Sequence, residues 1–361
     1  MIRLLYITTS FNDKGPLQQL FNIVSSLDRD KFEPVVLSLT APYDGDKSEL
    51  FQKLNVEIHH RPWKWTYILF PFTSFKGLLK ELNPSLIHTS GFLPDVLSAF
   101  SIPKHPWILT ARNDPFVDYP SKFGYFAGYI MAVIHLIAIQ ICPFPIACSS
   151  SLSKSFQKYR IKTRTIRNGV NYEHFKYKEK QTQKKIKKIR FLTAGSLIRR
   201  KNIELMVELF SSKKLRDTTE FIILGDGPLH ERCRSIAAEN IFFKGHVGDV
   251  NKYLTSSDCY ISLSKSEGMP NSVMEALISG LPCILSDIEP HKEIELDMPK
   301  ATILLKKDST LLELENSIKN FILQRSNFDN IRIARRAKSI FDYKTNSSKY
   351  QKIYLKEINK I

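Results

Sequence analysis

Residues 264–294, SKSEGMPNSVMEALISGLPCILSDIEPHKEI, follow an apolar strand-like segment and hold a Gly-Met-Pro turn, a short helix and a second strand. Two carboxylates, Glu267 and Glu275, stand eight positions apart across the turn. The helix should end just before Gly280, which suits the left-handed position after a helix, and Pro282 bars its continuation. A short helix that opens at the carboxyl end of a parallel strand offers unpaired N–H groups and a positive dipole end to an anion. The stretch therefore predicts an anion-binding turn between two strands.

The sequence leaves two roles open for Glu275. Ser272 and Glu275 have the spacing of a capping box, in which each side chain accepts a hydrogen bond from the other residue's backbone N–H. Alternatively, Glu275 faces a ligand together with Glu267, and Gly268 lets the backbone approach that ligand closely. The first role is structural and the second is functional.

The segments around this stretch repeat a strand–loop–helix pattern. Short apolar runs alternate with segments whose apolar residues recur at helical spacing, as in Leu17, Leu20 and Val24. Continuous apolar strands between helices indicate parallel sheets covered on both faces. The predicted strands are 2–9, 34–39, 56–60, 85–90, 107–111 and 145–149 in the first half, and 189–195, 220–227, 241–247 and 259–264 in the second.

The chain is long enough for two domains, since a single core stops growing well before 361 residues. Segment 176–190, KYKEKQTQKKIKKIR, has eight basic residues and one acid and can bury little, which predicts a linker. We therefore expect an α/β protein of two doubly wound, Rossmann-like domains, 1–172 and 189–335, joined by a basic linker at 173–188. A C-terminal helix at 336–361 follows, for which packing back across the domains is one option.

The composition favours a folded protein with an anionic partner. Hydrophobic residues make up 43% and charged residues 25% of the chain, which is typical of globular rather than disordered proteins. The net charge of +17 indicates attraction to nucleic acid, an anionic membrane or a phosphorylated substrate. Met1 leads directly into a strand pattern, so we expect no signal peptide. Five scattered cysteines without metal-ligand spacing predict reduced core thiols, and hence a cytoplasmic protein: Cys142, Cys148, Cys233, Cys259 and Cys283.

An uncharged run at 123–142, FGYFAGYIMAVIHLIAIQIC, has three interpretations. Its length would suffice to span a bilayer, but its glycines, its tyrosines, His135 and Gln140 argue against that. A helix that is half buried and half immersed in a membrane interface fits better, because basic residues follow nearby. A core helix beside a solvated basic surface is equally consistent with the pattern. The basic residues are Lys154, Lys158, Arg160, Lys162, Arg164 and Arg167.

Several motifs resemble landmarks of the retaining glycosyltransferases of the group 1 type, which have the two-domain GT-B fold. The E-x7-E signature of that family is similar to EGMPNSVMEA at 267–276, which is followed by GLP at 280–282 and EI at 293–294. The resemblance covers nearly the whole chain and is strongest from 190 to 294. Further matches, in chain order, are Asn168-Gly169-Val170-Asn171 with Phe175; Gly195, Leu197 and Lys201; Gly225-Asp226-Gly227-Pro228; Gly245-His246-Val247; and Ser257-Asp258.

The resemblance implies that the C-terminal domain binds a nucleotide-sugar donor, that the N-terminal domain binds the acceptor, and that the two domains face a central cleft. Glu275 would accept hydrogen bonds from ribose hydroxyls and Glu267 from sugar hydroxyls, while Lys201 would neutralise the diphosphate leaving group. Lys201 and Glu267 are thus the expected catalytic residues. The full expected donor-binding set is Gly15, Gly195, Ser196, Arg200, Lys201, Gly225, Gly227, His246, Val247, Glu267, Gly268, Met269, Pro270, Asn271, Ser272 and Glu275.

The chain departs from the family pattern at two places. Ser196 stands where the family usually has an arginine, and Arg199 or Arg200 would substitute for it. Arg112 stands where many members have a histidine near the reacting carbon, and an arginine cannot act as a general base at neutral pH. His88, at the end of a predicted strand, is either an acceptor-side residue together with Arg112 or a partly buried histidine bonded to backbone.

The resemblance predicts a retaining glycosyltransferase that moves a sugar from a nucleotide diphosphate donor, a UDP-sugar, to a growing glycan. The net charge of +17 and the apolar run at 123–142 indicate a lipid-linked acceptor at the cytoplasmic membrane face, as in bacterial polysaccharide assembly. We expect no cofactor and no metal ion, since no DxD-type motif or His/Asp cluster accompanies the donor motifs. A sugar-nucleotide epimerase or a phosphorylase on the same fold is the alternative. A basic nucleic-acid-binding protein is disfavoured, because the lysines concentrate in the linker and on helix faces without interleaved aromatic residues.

Overall fold

The structure is a computed structural model that describes residues 1–12, 15–62, 71–101, 106–175, 177 and 188–359. These residues form two compact units, one made of 1–169 with 343–361 and the other of 170–342. Most of the predicted linker at 173–188 lies outside the described residues.

The first unit is built on a parallel sheet with helices between its strands. Its strands are β1 (Ile2–Thr8), β2 (Phe32–Ser38), β3 (Glu57–His60), β4 (Leu86–Thr89), β5 (Trp107–Ala111), β6 (Phe144–Ala147) and β7 (Arg164–Thr165). They pair in the order β3-β2-β1-β4-β5-β6-β7. The helices are α1 (Gly15–Val24), α2 (Ser48–Gln52), α3 (Pro71–Leu82), α4 (Phe92–Ser101), α5 (Pro115–Phe123), α6 (Tyr125–Ile141) and α7 (Ser150–Gln157).

The second unit has a parallel sheet of its own. Its strands are β8 (Ile189–Ala194), β9 (Thr219–Leu224), β10 (Ile241–Phe243), β11 (Cys259–Ser262), β12 (Cys283–Ser286) and β13 (Thr302–Leu305), in the order β10-β9-β8-β11-β12-β13. Its helices are α8 (Ile203–Ser211), α9 (His230–Ser235), α10 (Val250–Ser256), α11 (Asn271–Ile278), α12 (Glu289–Asp297), α13 (Leu311–Gln324) and α14 (Asn330–Phe341). The rings of Phe191, Phe210 and Phe221 pack together in its core, with centroids 4.9 and 4.4 Å apart.

The predicted α/β class with two doubly wound, Rossmann-like units is confirmed, because both sheets are parallel and carry helices between their strands. All five cysteines are buried, and none of them is in a disulfide bond. The sequence pattern does not predict β7 or β13. Strand β7 consists of Arg164 and Thr165 alone, and it is defined only by its pairing with the edge of β6.

The C-terminal tail differs from the single helix predicted at 336–361. Helix α14 already begins at Asn330, and the extended backbone of Asp342 separates it from α15 (Tyr343–Ile358). Helix α14 belongs to the second unit and α15 to the first, where Tyr350 and Tyr354 are buried in the core. The predicted boundary at residue 335 is therefore wrong, since it falls inside a helix.

Helix α6 covers most of the uncharged run at 123–142. It buries Gly128, Ala132, His135, Ala138 and Ile139 and exposes most of its larger apolar side chains. Within the part of the chain that the structure describes, no helix combines the length and apolarity needed to cross a membrane.

Three glycine-containing loops of the second unit are in backbone contact at the carboxyl ends of β8, β9 and β10. The Gly225 N–H donates to the Gly245 carbonyl at 2.7 Å, and the Gly195 N–H donates to the Leu224 carbonyl at 3.0 Å. Gly225 has a φ of +109°, and a Cβ built there would lie 2.1 Å from the Gly195 carbonyl oxygen. Only glycine fits this position without moving the loops.

Replacing Gly225 by alanine should therefore lower the free energy of unfolding by about 2 kcal/mol or more, because the new methyl group meets backbone in a strained conformation. The matched control is Gly248→Ala, where no atom lies within 4 Å of the new Cβ, and its change should stay within about 0.5 kcal/mol. Urea denaturation followed by far-UV circular dichroism measures both. Equal stabilities of the two variants would contradict the loop contact.

Candidate functional site

The predicted donor-site residues of the second unit converge where the strand order reverses. Strand β8 pairs with β9 on one side and with β11 on the other, so the chain winds outward in both directions from β8 and β11. Ligands of such sheets bind at the carboxyl ends of the strands beside this reversal. The loop after β8 carries Arg200 and Lys201, and the loop after β11 carries Glu267.

Glu267 forms a buried ion-pair cluster with the two basic side chains. Its Oε1 accepts from the Lys201 Nζ at 2.7 Å, and its Oε2 accepts from the Arg200 guanidinium at 2.8 Å. The three side chains are 7%, 17% and 14% exposed, respectively. Burial alone would raise the pKa of Glu267, but the charges of Lys201 and Arg200 outweigh burial and hold that pKa well below its ordinary value. Glu267 is therefore ionised at neutral pH.

Local backbone geometry brings both cations to this carboxylate. Residues Arg199–Lys201 form a 3₁₀ turn that ends at Asn202 in the left-handed conformation. The Arg200 guanidinium also donates to the Ser266 carbonyl at 2.6 Å, and the Lys265 N–H donates to the Arg200 carbonyl at 2.8 Å. These bonds fix the loop after β8 to the loop after β11.

The structure distinguishes the two arginines that the sequence leaves as alternatives. Arg200 is directed at the Glu267 carboxylate, whereas Arg199 is exposed. Ser196, at the position where the family usually has an arginine, is exposed as well. Gly195 lies beside the lysine, since a Cβ built there would be in van der Waals contact with the Lys201 Cε at 3.4 Å.

Glu275 does not cap its helix, so the capping-box alternative is wrong. Helix α11 begins at Asn271, Pro270 is its cap residue, and no side chain caps the N-terminus. Burial raises the pKa of Glu275 to about 7, against the opposing charge of Lys201. The helix ends as predicted, with Gly280 in the left-handed conformation at φ +83°.

The remaining predicted donor residues of the second unit lie in the loops that follow β8, β9, β10 and β11 and at the start of α11. Gly268, Met269 and Pro270 are buried in the turn that leads into α11. Gly227 packs against the loop after β8, since a Cβ there would lie 2.6 Å from the Leu197 carbonyl oxygen. In the loop after β10, His246 is exposed and Val247 is partly buried.

His291 is a site residue that the sequence patterns do not identify. It is fully buried at the start of α12, and its Nδ1 lies 2.9 Å from the Ser286 carbonyl oxygen. Its Nε2 has no hydrogen-bond partner among the described residues. Burial lowers the pKa of His291 to about 4, although the charge of Glu267 acts in the opposite direction. Its position just after β12, next to β11 in the sheet, is the signal that could have identified it.

The arrangement is suited to an anionic ligand with hydroxyl groups. Two cations and one ionised carboxylate leave a net positive charge at the cluster, and the N-terminus of α11 adds to it. Carboxylate oxygens accept hydrogen bonds from hydroxyls. Among the described residues, no group of three or more His, Cys, Asp or Glu side chains is placed to hold a metal ion.

Comparison with protein families assigns both halves of the chain. The model described as Glycosyltransferase Family 4 matches residues 15–174, and the model described as glycosyl transferases group 1 matches residues 175–335. The chain belongs to the group 1 glycosyltransferase family.

Three relatives of this glycosyltransferase are bacterial. The O-antigen biosynthesis glycosyltransferase WclY of Escherichia coli is 24% identical over 98% of both chains. TuaC of Bacillus subtilis, named for teichuronic acid biosynthesis, is 27% identical over 58% of this chain and 54% of its own length. The UDP-Gal:alpha-D-GlcNAc-diphosphoundecaprenol alpha-1,3-galactosyltransferase of Escherichia coli is 29% identical over 45% of this chain and 44% of its own. The chain thus spans about half of TuaC and of the galactosyltransferase, and nearly all of WclY.

Solved structures confirm the predicted GT-B fold. Sucrose-phosphate synthase of Thermosynechococcus elongatus superposes with a TM-score of 0.81 at 14% identity over 100% of both chains. HepE of Anabaena, in complex with UDP and glucose, superposes with a TM-score of 0.78 at 16% identity, covering 98% of this chain and 99% of its own. At these identities the likeness shows the fold alone.

The predicted acceptor-side residues of the glycosyltransferase lie in the first unit. His88 is buried, and its two ring nitrogens lie 2.7 Å from the Tyr354 hydroxyl and 2.8 Å from the Thr110 hydroxyl. Its partners are thus side chains rather than backbone, and burial lowers its pKa to about 3. Arg112 donates to the Asn168 side-chain oxygen at 2.6 Å. An acceptor contact of His88 stays a prediction, and it would have to replace one of these bonds.

Gly15, the one predicted donor residue in the first unit, is the first residue of α1, directly after the undescribed residues 13–14. Its predicted contact with the donor stays a prediction.

The raised pKa of Glu275 predicts a pH-dependent stability. The folded-state value near 7 lies above the ordinary 4.5, so between these values the folded chain binds more protons than the unfolded chain. Its free energy of unfolding should therefore fall as the pH rises through this window, by up to about 3 kcal/mol. In Glu275→Gln this contribution should be absent.

Urea denaturation of both proteins between about pH 5 and pH 8.5 measures the difference. Glu289→Gln, which removes an exposed carboxylate on α12, serves as the control and should retain the wild-type slope. A wild-type slope in Glu275→Gln would show that the Glu275 carboxyl has an ordinary pKa.

Proposed function

We propose that this glycosyltransferase transfers a sugar from a UDP-sugar to a growing, lipid-linked glycan, with retention of configuration at the anomeric carbon. The observation that carries the proposal is the buried Glu267 carboxylate bound to Lys201 and Arg200 at the reversal of the strand order. Fixed cations suit the diphosphate of such a donor, and carboxylates suit the hydroxyls of its sugars.

Lys201 and Arg200 supply the positive charge that the leaving group requires. Both side chains are largely buried and held in place by Glu267, so a diphosphate would meet cations that are already oriented. Charge that develops on phosphate as the sugar leaves is stabilised most strongly by such preorganised groups. The backbone N–H groups of Gly268, Met269 and Asn271, at the start of α11, are further donors for the sugar and the distal phosphate.

Each of the two carboxylates would accept hydrogen bonds from different hydroxyl groups of the donor. Glu267 is ionised and retains acceptor capacity beyond the bonds from its two cations, which suits the sugar hydroxyls. Glu275, the fifth residue of α11, has no capping role and suits the ribose hydroxyls. Its half-ionised state near neutral pH would shift toward the carboxylate when hydroxyl donors approach.

The transfer breaks the bond between the anomeric carbon and the bridging phosphate oxygen, whose electron pair leaves with UDP. The acceptor hydroxyl oxygen forms the new bond to the same carbon, and its proton passes to the departing phosphate. Glu267 is poorly suited to take that proton, because two cations hold its pKa low. Retention follows when the acceptor enters on the face that the phosphate leaves.

The relatives support the donor and acceptor classes of this proposal. The galactosyltransferase carries UDP-Gal and a diphosphoundecaprenol-linked sugar in its name, and HepE was solved with UDP and glucose. WclY and TuaC are named for O-antigen and teichuronic acid biosynthesis. We place the reaction at the cytoplasmic face of the membrane, where a UDP-sugar and a lipid-linked glycan would meet.

The test is a transfer assay with UDP-, GDP- and ADP-sugars and diphosphate-lipid-linked glycan acceptors, with the anomeric configuration of the product read by NMR. We expect a UDP-sugar to be the donor and retention to be observed. Lys201→Ala, Glu267→Ala and Glu275→Ala should each lower turnover by about 100-fold or more, since each removes a preorganised contact to the donor.

Arg200→Ala should also lower turnover, whereas the exposed neighbour Arg199→Ala is the matched control and should retain it. Equal rates in the two arginine variants would contradict the assignment. Conversion of the nucleotide sugar without any acceptor would indicate an epimerase instead.

A further inference from the structure

Helices α5 and α6 of the first unit present an apolar surface that no other described element covers. The two helices pack closely and meet at Gly124. Helix α6 alone is 17 residues long, or about 25 Å. We call this surface the hairpin face, and its exposed side chains are Val117, Phe123, Tyr125, Phe126, Tyr129, Ile130, Val133, Ile137 and Ile141. Exposed apolar patches of this extent mark interaction sites.

The opposite side of the hairpin is fixed to the first unit. Gly128 lies against α5, because a Cβ built there would be 2.4 Å from the Pro120 nitrogen. His135 is buried between Asp95 and Tyr119, with ring nitrogens 2.9 Å and 2.6 Å from their oxygens. These contacts leave the hairpin little freedom to turn its apolar side inward.

A basic segment lies beside the hairpin face. Tyr159, which follows α7, stacks on Phe116 of α5 at 5.3 Å, and Phe116 contacts Tyr129 of α6 at the same centroid distance. From residue 119 to residue 172 the sequence contains no aspartate or glutamate. The exposed basic side chains of this segment are Lys154, Lys158, Arg160, Lys162 and Arg164.

We propose that the hairpin face and its basic segment dock on the surface of an anionic lipid bilayer. Tyr125 and Phe126, at the tip, are 80% and 79% exposed and would enter the interface between headgroups and acyl chains, where aromatic rings are favoured. The lysines and arginines would lie among the anionic headgroups. The helix lies on the membrane and does not cross it.

The charge distribution favours a bilayer over other occupants. A second copy of the chain in a two-fold dimer would bring the same basic segment against itself, and like charges would repel. A nucleic acid would satisfy the basic residues but leave the apolar centre of the face uncovered. An anionic bilayer offers both an apolar interior and negative headgroups.

The membrane-docking surface is defined by its own side chains and is independent of the proposed function. The experiment is co-sedimentation of the full chain with vesicles of phosphatidylglycerol and phosphatidylethanolamine, and with vesicles of phosphatidylcholine alone. We expect binding to the anionic vesicles that weakens with added salt, and little binding to the neutral ones. Because binding rather than transfer is measured, failure here leaves the transfer assay unaffected.

Two double variants test the two parts of the surface. Tyr125→Ser/Phe126→Ser and Lys158→Glu/Lys162→Glu should each reduce the partition coefficient by at least about tenfold. The apolar control is Leu296→Ser/Leu323→Ser, since these second-unit side chains are equally exposed, at 77% and 79%. The charge control is Lys213→Glu/Lys319→Glu, two exposed lysines of the second unit. Both controls should bind like wild type.

Absence of binding to anionic vesicles would overturn the proposal, as would wild-type binding by the Tyr125→Ser/Phe126→Ser variant. Retained far-UV circular dichroism of the variants excludes unfolding as the cause of lost binding. If analytical ultracentrifugation shows a dimer that the Tyr125→Ser/Phe126→Ser variant dissociates, the occupant is a second copy and the proposal is wrong.

Discussion

The second unit depends on one buried carboxylate that stays charged. Glu267 is 7% exposed, and an isolated carboxylate at that depth would favour its neutral form. Lys201 and Arg200 reverse that preference, and the carboxylate in turn fixes two cations that would otherwise repel each other. The cluster therefore keeps positive charge in a preorganised position, as the proposed diphosphate leaving group would require.

The parallel sheet and its loops place the members of this cluster together. Lys201 follows β8 and Glu267 follows β11, strands that are neighbours in the sheet although about 65 residues separate the loops. Gly225 allows its loop to approach the Gly195 backbone of the loop after β8. In the first unit, α15 from the C-terminal part of the chain contributes Tyr354, whose hydroxyl lies 2.7 Å from the His88 ring nitrogen in the core.

The sequence predicts the two parallel sheets and most of the candidate site residues, because short local sequence patterns indicate both. Continuous apolar strands mark the sheets, and the spacing of Glu267 and Glu275 marks the turn before α11. Features that depend on contacts between residues far apart in the sequence cannot be predicted from local patterns. Arg200, unlike Arg199, bonds to Ser266 and Glu267 on a loop 66 residues away, and α15 packs on α1 and bonds to His88 of the first unit. The false capping box shows that a local motif fails when the helix begins two residues earlier than the pattern implies.

The most direct test of the ion-pair cluster is a ¹³C NMR titration of the Glu267 carboxyl, assigned by its loss in Glu267→Gln. The cluster predicts that this carbon shows no titration from about pH 8 down to about pH 4, and that Lys201→Met moves its midpoint upward, because one of the two opposing charges is gone. A wild-type midpoint at or above the ordinary value of 4.5 would contradict the account.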